Sequence, residues 1–138
     1  MARLYPGGVR VYLVRHAEAA PGEPDDLRPL TAAGRAAARD LGTRLAAEGV
    51  RPGVVLTSPL LRARETAGEL GRALDCEVEA NEHLTPGATA ETLREAIADR
   101  GDEVVVVGHQ PDCGRIAAEL TGGPEPAFPP AGLAVLEL

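Results

Sequence analysis

The strongest constraint on this chain is a pair of short apolar runs that each end in a histidine. Residues 9–14, rich in β-branched side chains, stop abruptly at Arg15-His16. Four consecutive valines, 104–107, stop at Gly108-His109. Apolar runs this short, bounded by polar residues and glycine, predict buried strands rather than helices. Strands apolar on every position need cover on both faces, which is the situation of a parallel sheet between helical layers.

The rest of the chain supplies such layers. Thr31 is placed to cap a helix running to about Glu48, with Ala37, Leu41 and Leu45 as its inward stripe and Gly49 as its stop. Residues 54–56 read as a second buried strand. Ser58-Pro59 then reads as a helix start, a hydroxyl cap followed by proline at the first helical position. Leu60, Ala63, Ala67, Leu70 and Leu74 continue from it at helical spacing. Residues 77–80 read as a short edge strand, 89–100 as a third helix with Leu93, Ala96 and Ile97 inward, 112–120 as a fourth, and 133–138 as a last strand. Residues 19–29, 82–88 and 122–130 are loops rich in Gly, Pro or acid. The order β-α-β-α-β-α-β-α-β predicts an α/β fold, a three-layer sandwich with a mostly parallel central sheet and helices on both faces. At 138 residues the expectation is one domain, 1–138.

Composition removes several classes of function. Fourteen basic against 21 acidic residues leave a net charge of −7, which attracts neither a nucleic-acid backbone nor an anionic membrane over the whole surface. The aromatics are Tyr5, Tyr12 and Phe128, too few for base-stacking platforms. All basic residues are arginine, so no lysine Schiff base or Walker-type loop can form. Ser58 is the only serine, and its reading as a cap argues against a serine hydrolase. Cys76 and Cys113 lie far apart without a CxxC and read as reduced thiols of a cytoplasmic protein. The run before Ala17-Glu18-Ala19 is too short for a signal peptide, and no stretch approaches the roughly 20 apolar residues of a membrane span.

In α/β sheets, ligands bind beyond the carboxyl ends of the strands. Arg15-His16 follows the first strand, Arg62 lies in the first turn of the helix after the second, and His109 follows the valine strand. Two guanidiniums offer forked donors for phosphate oxygens, a neutral imidazole can attack phosphorus, and a protonated one can stabilise oxyanion charge. Each residue alone has a plainer reading: a histidine after a strand is usually a satisfied boundary residue, and an arginine in a first helical turn is usually solvated. His109 and Cys113 share i,i+4 spacing, but no further ligands accompany them, so no metal is expected.

The residues also carry a family resemblance. Leu13-Val14-Arg15-His16-Ala17-Glu18 resembles the N-terminal signature of the histidine phosphatase, or phosphoglycerate mutase-like, family. Thr57-Ser58-Pro59-Leu60-Leu61-Arg62-Ala63-Arg64-Glu65-Thr66 resembles its second motif, and Val107-Gly108-His109-Gln110-Pro111 its third. Arg28-Pro29-Leu30-Thr31-Ala32-Ala33-Gly34 is similar to the stretch after the first motif in the short, SixA-like branch. Ala17 stands where much of the larger family has glycine, and the short branch resembles this chain there.

The resemblance implies a phosphoglycerate mutase-like sandwich and a phosphohistidine intermediate on His16. Arg15, Arg62 and His109 would complete the phosphate pocket, without metal or other cofactor. The family places a carboxylic acid near the leaving group; by position Glu82 is the nearest match, with His83, which directly precedes Leu84, beside it. The implied partner is a phosphorylated substrate, in the SixA-like branch a phosphohistidine-bearing protein. A sugar-phosphate phosphatase or mutase is the second enzyme reading. It is disfavoured because the stretch between Arg62 and Glu82 leaves no room for a segment capping the pocket. A non-catalytic domain on the same fold is the third, and the retention of all four pocket residues speaks against it.

Overall fold

Alternation along the valine strand decides how the layers assemble. In the computed structural model, which describes residues 8–138, strand β4 (Glu103–Gly108) lies at the centre of a five-stranded sheet. Val105 and Val107 enter one apolar cluster and Val104 and Val106 the other, as the two-residue period of a strand requires. Strand β1 (Arg10–Arg15) divides in the same way, with Tyr12 and Val14 on the first face and Val11 and Leu13 on the second.

The covers come from four helices: α1 (Ala32–Ala47), α2 (Leu61–Leu74), α3 (Ala90–Ile97) and α4 (Asp112–Thr121). Leu41 and Leu45 of α1 and Ala63, Ala67 and Leu70 of α2 fill the Val105/Val107 face. Leu93, Ala96 and Ile97 of α3 and Cys113, Ile116 and Ala117 of α4 fill the other. Strands β2 (Val55–Thr57), β3 (Val78–Ala80) and β5 (Leu133–Glu137) complete the sheet in the order β3-β2-β4-β1-β5. All neighbours are parallel except β5, which runs antiparallel to β1. This is the expected three-layer α/β sandwich; residues 1–7 of the expected domain lie outside the described residues. No helix among the described residues is long and apolar enough to cross a membrane.

Two local expectations need correction. The inward stripe of α1 runs through Gly34, Ala38, Leu41, Gly42 and Leu45, and Ala37 is exposed. Both 37 and 38 lie one turn before Leu41, and the choice falls to the residue that faces the Ala17–Leu30 loop. Ser58-Pro59 does not start α2: the helix begins at Leu61, Leu60 is its N-cap, and no side chain caps it. The Ser58 hydroxyl is engaged elsewhere. Thr31, by contrast, caps α1 as expected, accepting from Gly34 N–H at 2.9 Å.

The helices α1 and α2 are also joined by charge. Glu69 is 5% exposed and meets Arg72 at 2.6 Å, Arg39 at 3.5 Å and Arg35 at 3.6 Å. A carboxylate so buried requires such partners.

The start of α1 presses against the loop after β1. A Cβ on Gly34 would collide with the Glu18 carbonyl, which is backbone and cannot rotate aside. Gly34→Ala is therefore expected to destabilise the protein by about 1–3 kcal/mol, as overpacking does. Urea unfolding checks this; an unchanged midpoint would show that the loop yields freely.

Candidate active site

The register of the parallel strands brings three sequence-distant segments to one rim. Arg15 stands opposite Gly108, and Thr57 stands opposite Val107. Just past the strands, His16 N–H donates to the Gly108 carbonyl at 2.9 Å and Ser58 N–H to the Val107 carbonyl at 3.0 Å. The sheet backbone thus continues into the site and fixes where His16, Ser58 and His109 begin. A cleft of about 390 Å³ opens there, lined by Arg15, His16, Arg28, Arg62, His109 and Gln110 among others. A larger hollow, about 620 Å³, lies around Gly71 and Cys76 on α2 and β3. It contains no histidine and is far shallower in chemistry, with one arginine against Asp75 and Glu77.

The two imidazoles face each other with ring centroids 5.3 Å apart and planes tilted by 60°. His16 Nδ1 lies 2.7 Å from the Ala17 carbonyl. A carbonyl only accepts, so Nδ1 carries the proton and Nε2 keeps its lone pair. The loop holding that carbonyl is itself pinned: Ala17 N–H donates to Thr66 Oγ1 at 3.0 Å, and Thr66 donates to the Arg62 carbonyl at 2.8 Å. Burial first, then the guanidiniums of Arg62, Arg15 and Arg28, holds His16 below the usual histidine range. It is a neutral imidazole at pH 7.

His109 is 4% exposed, and its Nε2 lies 2.7 Å from Ser58 Oγ. Its pKa is lowered to about 4, chiefly by burial and then by His16 and Arg62. Ser58 is fully buried and also accepts from Leu60 N–H at 3.3 Å. Its hydroxyl therefore orients the second imidazole. Its place in the sequence, between a strand end and a proline, is equally that of a cap, so nothing local distinguished the two roles.

The arginines are held from outside the rim. Arg15 Nη1 donates to the Phe128 carbonyl at 3.0 Å, which gives the irregular segment before β5 a function that its sequence did not announce. Arg62, on the first turn of α2, donates to the Asp25 carbonyl at 2.9 Å and to the Asp25 carboxylate at 3.3 Å. Among the described residues, the buried side-chain nitrogens and oxygens without a partner are Arg15 Nε, Arg62 Nε and His109 Nδ1. All three belong to cleft residues, and buried polar groups in folded proteins are rarely left unpaired. A bound oxyanion is the partner such a set calls for.

Glu82 lies exposed on a 3₁₀ turn, Glu82–Leu84, and is not among the residues lining the cleft. The turn is organised by Asn81, whose side chain accepts from His83 N–H, and His83 pairs outward with Glu95 at 2.9 Å. His83 is thus directed by local turn chemistry toward Glu95. The carboxylate that does line the cleft is Glu18, which accepts from Thr31 Oγ1 at 2.7 Å. Cys113 is no metal ligand with His109: its thiol is buried against the Val14 carbonyl and its pKa is pushed up to about 12. No group of three or more His, Cys, Asp or Glu among the described residues is placed to hold a metal.

A parallel α/β sheet whose carboxyl rim gathers two neutral imidazoles and three guanidiniums defines a phosphate-handling protein. Residues 11–86 match the Histidine phosphatase superfamily (branch 1). The phosphohistidine phosphatase SixA of Escherichia coli is 33% identical over 125 residues, covering 86% of this chain and 78% of that protein. The solved structure of the protein histidine phosphatase SixA complexed with tungstate superposes with a TM-score of 0.83 at 31% identity. That match covers 92% of this chain and 86% of the other. A putative SixA from Agrobacterium tumefaciens gives 0.79 at 33% identity, covering 92% and 90%. The chain belongs to the histidine phosphatase superfamily and is a phosphatase.

The depressed pKa of His109 links the site to stability. Between pH 6.5 and about 4 the unfolded chain binds a proton at this residue that the folded chain refuses. Its contribution is therefore complete above pH 6.5 and is lost as the pH falls toward 4. His16 acts in the same direction. His109→Gln is expected to flatten the loss of unfolding free energy between pH 7 and 5, measured by urea titration. An unchanged slope would show that His109 is not held neutral.

Proposed function

We propose that the chain, working as a single domain, hydrolyses phosphohistidine on a protein by way of a phosphohistidine intermediate on His16. His16 Nε2 attacks phosphorus; the new P–N bond forms as the bond to the leaving imidazole breaks, and that imidazole leaves neutral with a proton taken from solvent. Arg15 and Arg62 hold the non-bridging oxygens, and His109, protonated from solvent as the dianion arrives, donates a hydrogen bond from Nδ1. A water molecule then attacks phosphorus from the vacated side and releases a proton to solvent, the P–N bond to His16 breaks, and inorganic phosphate leaves. The observation that carries this reading is that the three buried, unpartnered nitrogens all belong to residues lining the cleft beside a neutral His16. Arginine and imidazole meet the phosphate charge without a metal ion, so turnover is expected to survive EDTA.

His16→Ala is expected to abolish turnover together with any acid-labile phosphoenzyme, and His109→Ala to lower kcat on the order of a hundredfold or more. Wild-type turnover by His16→Ala would exclude covalent catalysis at this residue.

The choice of substrate rests on the rim. Expelling an alkoxide demands a positioned acid, worth roughly 10²–10⁴-fold, whereas imidazole or a nitrophenolate needs little help. Glu82 does not line the cleft, and α2 leads into β3 after three residues, too few for a segment capping it. An open rim admits a side chain displayed on a protein and grips a small sugar poorly. The SixA of E. coli carries phosphohistidine phosphatase in its name, which supports the same substrate here. The free thiols Cys76 and Cys113, both shifted upward by burial, fit a reducing, cytoplasmic location. Turnover of phosphohistidine and aryl phosphates is expected to exceed that of alkyl phosphates in parallel kcat/KM measurements. Efficient hydrolysis of one sugar phosphate, with none of phosphohistidine, would overturn the specificity.

A further inference from the structure

We propose that Asp25 is a positioning residue for phosphoryl transfer: its carboxylate and carbonyl hold the Arg62 and Arg28 guanidiniums in the orientation that an oxyanion needs. The proposal rests on the phosphatase site described above.

Asp25 opens the 3₁₀ turn Asp25–Leu27, on the loop between β1 and α1. Its Oδ1 accepts from Arg28 Nε at 2.9 Å and its Oδ2 from Arg62 Nη2 at 3.3 Å, while its carbonyl accepts from Arg62 Nη1 at 2.9 Å. The Asp25 side chain is 66% exposed, but the Arg62 side chain that it grips is 9% exposed. Arg28 is tethered a second time, through Nη1 to the Ala20 carbonyl at 3.3 Å, and lines the cleft. One exposed residue thus spans two cleft cations that come from different parts of the chain.

The donor count shows what this arrangement leaves available. A guanidinium has five N–H groups. Asp25 takes two from Arg62, one at each terminal nitrogen. That leaves one more at each of them and the buried, unpartnered Nε. A guanidinium fixed along its outer edge presents the remainder without the freedom of a long side chain. Arg62 also stands among like charges, since Arg15 and Arg28 line the same cleft. Without a counter-charge their mutual repulsion would turn these arginines outward. Asp25 supplies that charge, and its carboxyl is held below the usual range by Arg62 first and Arg28 next, so it is ionised at neutral pH.

The same contact admits an opposite role, in which the carboxylate occupies the guanidinium that phosphate needs and so competes with it. The two roles move oxyanion affinity in opposite directions. Orthovanadate binding by titration calorimetry, with KM and kcat on p-nitrophenyl phosphate, separates them in Asp25→Asn and Asp25→Ala. Positioning predicts vanadate affinity weakened on the order of fivefold in Asp25→Ala, with KM raised in parallel, kcat changed less, and Asp25→Asn between it and wild type. The thermal midpoint is expected to stay put, because Asp25 is exposed. Affinity within twofold of wild type in both variants, or tighter, would overturn the proposal. Failure of the wild type to hydrolyse phosphohistidine while binding vanadate would instead strike the substrate assignment and leave this one standing.

Discussion

The cleft depends on the register of β1 against β4. With Arg15 opposite Gly108, the next residue after each strand is a histidine, His16 and His109, and both emerge at the same edge of the sheet. A shift of one residue would send every side chain of β1 to the opposite face. Val11 and Leu13 would then face α1 and α2, and Tyr12 and Val14 would face α3 and α4, with neither core fitted to receive them. The apolar alternation that builds the two cores is therefore the same constraint that places His16 beside His109. Folding and catalysis share one determinant here.

The site assembled in this way is electrostatically one-sided. Arg15, Arg28 and Arg62 surround two histidines in a chain whose overall charge is −7. Both imidazoles respond by staying neutral, His109 with a pKa near 4. On the proposed mechanism that state suits the two roles differently. A neutral His16 with Nδ1 pinned would attack phosphorus, and His109 would gain its proton as a phosphate dianion compensates the surrounding charge. Backbone carbonyls from Ala17, Phe128 and Asp25 hold His16, Arg15 and Arg62 without adding formal charge, and the Asp25 carboxylate adds a negative group beside Arg62.

Much of this was legible in the sequence because the strands are short and unambiguous. The valines 104–107 and the run ending at Arg15-His16 locate two strand ends, and those ends locate three of the four pocket residues. Arg62 was legible as a first-turn residue even though the helix begins later than Ser58-Pro59 suggests. What escaped was every contact set by a partner distant in sequence. Ser58 has the local form of a cap, and only the approach of His109 makes it an orienting group. Ala37 and Ala38 are equivalent one turn before Leu41, and the Ala17–Leu30 loop chooses between them. Asp25 and Phe128 lie in loops without periodicity, where nothing local tells a solvated residue from one that bonds an arginine. Glu82 was read by position, and it stands exposed on a turn that Asn81 caps.

On the proposed mechanism His16 Nε2, Arg15, Arg62 and His109 Nδ1 address one phosphoryl group. A crystal structure with orthovanadate is the decisive measurement. Vanadium is expected to be bonded to His16 Nε2, with its oxygens within hydrogen-bond reach of Arg15, Arg62 and His109 Nδ1. Vanadate seated away from His16, or held with His109 Nδ1 still unpartnered, would contradict it.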